Sequence, residues 1–124
     1  MSGFQGIDDI TGYHAHVYYT DAGTKTRAGI LRDGIAALGI PHVMGRWHDA
    51  PIGPHPVGSY QVAFDATHFG QLVPWLALNR NGLSVLVHPT TEDQVAAHSE
   101  QALWLGTPLS LDLDFLRRYM AENK

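Results

Sequence analysis

The chain has 124 residues, 44% hydrophobic and 16% charged, with a formal net charge of −4. One domain accounts for that length, the charge gives no indication of a basic nucleic-acid surface, and the lack of cysteine removes disulfides, thiolate zinc, iron–sulfur clusters and a thiol nucleophile. Histidine is in excess: there are eight, as many as lysine and arginine together, so any bound metal is held by imidazole, carboxylate, water or backbone oxygen.

Residues 1–11 read as a loose N-terminal arm leading into a single domain. Tyr13 to Tyr19 (YHAHVYY) is short, aromatic and β-branched, which predicts a strand. Thr20 or Asp21 can cap a following helix in which Ala28, Leu31, Ile35 and Leu38 recur at helical spacing, with Gly39 and Pro41 as its stop. Gly23, Gly29 and Gly34 weaken that helix, so packing must hold it. Ile40 to His48 is a predicted second strand, and the proline-rich DAPIGPHP segment, Asp49 to Pro56, is a rigid connection. Val57 to Asp65 alternates as a third strand. Thr67 can cap a second helix carrying Phe69, Leu72, Val73 and Leu76, kinked by Pro74 and ended by Asn81–Gly82. Leu83 to His88 is a fourth strand. A third helix is expected from Thr91, with Val95, His98, Ala102 and Leu105 on one stripe; the tail from Leu109 fits either strand or helix.

The order β-α-β-β-α-β is the ferredoxin-like arrangement, an α+β fold with an antiparallel sheet and helices on one face, here with a C-terminal extension. No basic leader precedes an apolar run, no segment is long enough to span a bilayer, and no P-loop or dinucleotide motif is present. The expectation is a soluble, cytoplasmic protein without membrane or nucleic-acid partners.

Strand alternation locates the histidines. His14, His16 and Tyr18 share one face of the first strand, His42, Met44, Arg46 and His48 one face of the second, and Ser84, Leu86 and His88 one face of the fourth. The helices take the opposite, apolar faces, leaving the histidine face open for a pocket or a dimer contact. Antiparallel pairing puts His88 beside His14 and His16, so an HxH pair and a third imidazole from the neighbouring strand can converge on one metal ion. His48 and His55 are expected at the other edge, nearer Tyr18, with His98 folding back onto the first cluster. His42 and His68 read as packing or surface residues.

The YHAHVYY strand, the GPHP turn at Gly53–Pro56, the VHPTT segment at Val87–Thr91, and His98 followed by LWLG at Leu103–Gly106 resemble the DOPA 4,5-dioxygenase family of fungi and bacteria, from Tyr13 to about Leu109. The resemblance implies a non-haem Fe(II) enzyme that opens a catechol ring beside its hydroxyls with O2, and histidines at His14, His16, His55, His88 and His98 as the recurrent positions. In that scheme His14, His16 and His88 are the candidate metal ligands. His55 and His98 are candidates for acid–base work and Tyr18 for a hydrogen bond to bound oxygen. Arg46 and His48 would bind the substrate, such as L-DOPA or a related phenylpropanoid. No carboxylate lies on the predicted histidine face of the first, second or fourth strand, so the third ligand stays open between histidine and a loop acid. The rival readings are a zinc hydrolase, a dimeric ligand-binding module and a metal-free oxygenase; a homodimer is compatible with all of them.

Overall fold

The strand built on YHAHVYY becomes the centre of the sheet because both of its edges find partners. In the computed structural model, which describes residues 3–123, β1 (Gly12–Tyr19) pairs antiparallel with β3 (Gly58–Asp65) and with β4 (Val85–Thr90). β2 (Val43–Met44) extends the sheet beyond β3 and β5 (Leu103–Leu105) beyond β4, giving the order β2-β3-β1-β4-β5. The connections are α1 (Ala22–Ala37), α2 (Phe69–Asn79) and the single turn α3 (Gln94–Ala97), and α4 (Leu113–Glu122) ends the described chain. The first four strands and two helices have the ferredoxin-like α+β order. Residues 1 and 2 of the expected arm lie outside the described residues, and Ile7–Asp9 form one exposed 3-10 turn. Among the described residues, no helix is long and apolar enough to cross a membrane.

Helical spacing in α1 buries Ala28, Leu31 and Ile35; α2 adds Leu72, Val73 and Leu76, and these meet Ala15, Val17, Val62, Val85 and Val87 on one sheet face. Each fully buried aliphatic side chain contributes roughly 2 kcal/mol, which fixes the strand register against a one-residue slip. Of the glycines of α1, Gly34 serves close packing: a Cβ there would lie 3.0 Å from Trp75, whereas one at Gly29 would meet Trp47 at an ordinary 3.8 Å. Asp21 caps the helix, accepting from the Thr24 amide while the Thr24 hydroxyl returns to the Asp21 amide. Asp21→Ala is expected to destabilise the fold through loss of this cap, read as a lower urea midpoint at unchanged m-value.

Four local expectations are corrected. Of the second strand, only Val43–Met44 form ladder pairs, with Ala63 and Val62, and a separate bridge joins His48 to Ser59. One extra residue lies between those pairings, so the side-chain alternation shifts. Met44 and Trp47 both pack on the helix-side core and Val43 joins the row of Ala63 and His14, so His42, Met44, Arg46 and His48 share no common face.

The expected third helix stops at Ala97, and Leu103–Leu105 instead pairs with β4. Its alternation suits a strand: Leu105, opposite Val85, packs on the core, while Trp104, opposite Leu86, stacks on Tyr18. Asp65 rather than Thr67 leads into the second helix, accepting from the Thr67 amide and hydroxyl at 2.9 Å each.

Nor is the histidine face fully open. Tyr18, Leu86, Ala96, Ala97 and Leu116 are buried outside the helix-side core. They form a second, smaller layer in which α3, α4 and the loop around Gly53 cover part of that face. The Asp112 amide donates to the Pro54 carbonyl at 2.8 Å and Gly53 approaches the Phe115 ring, so α4 braces the loop.

Candidate metal centre

Register brings three imidazoles together. His14 stands directly opposite His88 across β1 and β4, and His16 is two residues further along the same face. The ligand nitrogens of His14, His16 and His88 all lie within 4.8 Å of one another, and the Nε2 atoms of His16 and His88 approach to 3.0 Å. The His88 Nδ1–H donates to the Pro89 carbonyl at 3.0 Å, which fixes the tautomer and leaves Nε2 as a lone pair facing His16. Two nitrogens at about 2.1 Å from a shared ion and at right angles would be about 3.0 Å apart, so the spacing fits a common cation. A set of neutral imidazoles suits a divalent first-row transition metal.

Two more histidines close over this group. His98 follows α3 directly; its Nδ1–H donates to the Gln94 carbonyl at 2.7 Å, leaving Nε2 free of that bond, and its ring centroid is 3.9 Å from that of His88. His55 comes from the proline-rich loop. Gly53 takes a left-handed φ of 56°, the His55 amide donates to the Ile52 carbonyl at 2.9 Å, and the prolines on either side stiffen the turn. At the loop's root, Tyr19 donates to Asp49 at 2.7 Å and Lys25 pairs with the same carboxylate at 2.8 Å. His55 therefore does not stand apart at the far edge with His48. Its ring lies 4.2 Å from that of His16, and its Nδ1 is 2.7 Å from the Tyr18 hydroxyl.

Burial and crowding keep these rings neutral. Loss of hydration is the first cause at each, and neighbouring histidines add to it at all but His98. His16 is held well below the ordinary value of 6.5, His55 at about 4 and His88 at about 3, the last in spite of its bond to Pro89. His14 and His98 are also lowered, and burial raises the Tyr18 phenol, which stays protonated. Five imidazoles, four of them buried, thus present nitrogen lone pairs in one cluster, of which His14, His16 and His88 could hold a metal ion.

The remaining candidates lie elsewhere. Arg46 is exposed on the segment between β2 and the His48 bridge. His48 is half-buried in the row of Ser59 and Tyr18, near enough to contribute to the low proton affinity of His55. A cleft of about 520 Å3 opens instead beside His14, with His42, Asp65 and His68 in its lining. Sequence reasoning set His42 and His68 aside; the small residues Gly12 and Ala63, on the His14 face, were the available signal of a recess there.

Fold and site together define a ferredoxin-like α+β protein with a group of histidines that could hold a metal ion. The chain belongs to the Dopa 4,5-dioxygenase family, whose profile it matches over residues 13–115. It is 32% identical to a DOPA 4,5-dioxygenase of Amanita muscaria over 85% of its own length and 49% of that protein's. It is 42% identical to an uncharacterized 21.2 kDa protein of Botryotinia fuckeliana over 59% of its length and 44% of that protein's. The chain thus spans about half the length of the curated relatives it matches. A crystal structure of a candidate dioxygenase from Nostoc punctiforme, 48% identical, superposes with a TM-score of 0.90 over 94% of this chain and 99% of that one.

Proposed function

We propose that the chain is a non-haem iron(II) extradiol dioxygenase that opens a catechol ring with O2. The observation that carries this reading is the convergence of His14, His16 and His88 on one sheet face, with the lone pair of His88 aimed by the Pro89 carbonyl. These three would hold the iron, which when bound supplies a Lewis acid and an electron path between a catechol and O2. The family membership supports the reaction class.

The surrounding residues position the substrate and handle its protons. In the tautomer in which His55 Nδ1–H donates to the Tyr18 oxygen, Nε2 carries the lone pair and is the atom that takes a catechol proton. Tyr18, a neutral phenol stacked on Trp104, holds that ring in place by accepting from it and keeps its own O–H to donate towards the substrate. The Nδ1–H of His98 is committed to Gln94, so His98 likewise moves a proton at Nε2. Leu86, opposite His16, and Ala97, next to His98, are fully buried and keep water from this side of the cluster. We further infer a cytoplasmic homodimer, checked by light scattering that gives twice the 13.6 kDa chain mass.

Anaerobic loading with Fe(II), followed by O2 uptake on a panel of catechols, tests the reaction. One O2 consumed per catechol, with a yellow ring-opened product, is the expected result. Retained zinc with hydrolysis and no O2 uptake would replace it with a hydrolase, and activity that survives strong chelation would replace it with a metal-free oxygenase.

A further inference from the structure

The loop of residues 49–57 carries His55 from the His48 bridge to β3. Within it only Pro54 and His55 are buried, and a cleft of about 520 Å3 opens beside it, lined by Pro51, Pro56, Val57 and the start of α1. Apolar packing therefore fixes little of this loop, and where His55 stands depends on what holds the two ends.

Both ends meet at Tyr19. It stands opposite Gly58 in the β1–β3 ladder, with its ring in the helix-side core. A Cβ at Gly58 would lie 2.5 Å from that ring, so the ring rests directly on the backbone where the loop rejoins the sheet, and a larger residue there would push it away. At the other end the Tyr19 hydroxyl lies 2.7 Å from Asp49 Oδ1 and 2.9 Å from the His48 carbonyl oxygen, and its one proton serves these two acceptors. The same carbonyl accepts from the Ser59 amide at 2.9 Å, which closes the loop. Tyr19 is 5% exposed and packs edge-on against Trp47 at 5.4 Å, so the post itself is rigid. Lys25 adds an ion pair to Asp49, but both side chains are largely exposed and such a pair contributes little. The buried phenol is the stronger hold.

We propose that Tyr19 is a positioning residue: by tying both ends of the loop it sets where the His55 ring stands against His16 and Tyr18. Adjacent residues of β1 then act on His55 from opposite faces of the sheet, Tyr18 by touching the ring and Tyr19 by fixing the loop that carries it. The effect on rate rests on the ring-opening reading; the effect on the loop is read separately, in the metal-free protein. Tyr19→Phe is the informative variant, because it keeps the ring on Gly58 and loses only the bonds to Asp49 and His48.

In the iron-loaded protein, Tyr19→Phe should keep its full iron content and a KM within about twofold of the parent, and lose roughly tenfold in kcat, as a displaced proton acceptor does. In a His55→Ala background the same change should cost nothing further, because a residue that acts through His55 has nothing left to position. Equal losses in both backgrounds, or full kcat in the single variant, would overturn the proposal. In the metal-free protein, amide hydrogen exchange should quicken roughly tenfold at His55, whose amide bonds the Ile52 carbonyl, relative to His16 in the centre of the sheet. Unchanged exchange at His55 would overturn it as well. If no catechol supports O2 uptake but exchange at His55 quickens, the reaction assignment fails and the positioning of the loop by Tyr19 stands.

Discussion

His88→Ala should empty the protein of iron and reduce kcat/KM for catechol cleavage by at least about a thousandfold, the loss of several kcal/mol of metal-derived stabilisation. His88 is 1% exposed and is the only member of the His14–His16–His88 group that comes from β4. Without it, two imidazoles on one strand remain, and the Nε2 of His16 loses the nitrogen 3.0 Å away with which it would share an ion. His16→Ala should behave alike. His55→Ala should instead keep one iron per chain and lose roughly a hundred- to ten-thousandfold in rate, the range for removal of an acid–base group. Iron content by mass spectrometry and O2 uptake separate the two classes of variant. The unfolding midpoint of each metal-free variant shows whether truncation has damaged the fold. Full iron and full rate in either His16→Ala or His88→Ala would remove the metal assignment.

The cluster was legible wherever strand periodicity governs it. His14, His16 and Tyr18 alternate with Ala15, Val17 and Tyr19, and the antiparallel return of β4 puts His88 opposite His14. Such pairing depends on a period of two and on a topology that the β-α-β-β-α-β order dictates. Legibility ended where single residues shift the period or where tertiary pairing overrides a local preference. The extra residue between Met44 and His48 moved Val43 onto the histidine row. Val95, His98, Ala102 and Leu105 have helical spacing, yet the free edge of β4 drew Leu103–Leu105 into the sheet, since unpaired edge amides and carbonyls gain more from a ladder than from propensity. The inward turn of His55 depends on the left-handed Gly53 and on a brace from Asp112, nearly sixty positions away in the chain, which no local pattern reveals.

Metal-free protein should be acid-labile well above the range in which carboxylates titrate. The unfolded chain offers each histidine a pKa near 6.5, while His55 in the fold sits at about 4 and His88 at about 3, with His16, His14 and His98 also lowered. Between the folded and unfolded values the unfolded state binds more protons, so stability rises with pH across that window. The contribution is complete above pH 6.5 and is lost as pH falls from there through the folded values. For His55 alone the loss is on the order of 3 kcal/mol, a large share of the stability of a small domain. Asp21, Asp49 and Asp65 are held below 3.8, so their contribution disappears only at lower pH and does not mask the histidine step. Urea midpoints of the metal-free protein are expected to be flat from pH 8 to 6.5 and to fall steadily towards pH 4.5, with His55→Gln showing a shallower slope. A bound divalent metal should raise the midpoints at neutral pH and deepen the fall, because the unfolded chain still takes up protons from about pH 6.5 while the bound nitrogens do not. A midpoint that stays level down to pH 4.5 would mean that the five imidazoles are not held neutral together. The nitrogens would then carry protons at mildly acidic pH as readily as free imidazoles do, and the lone pairs on which the metal site and the base role of His55 depend would not be protected by burial.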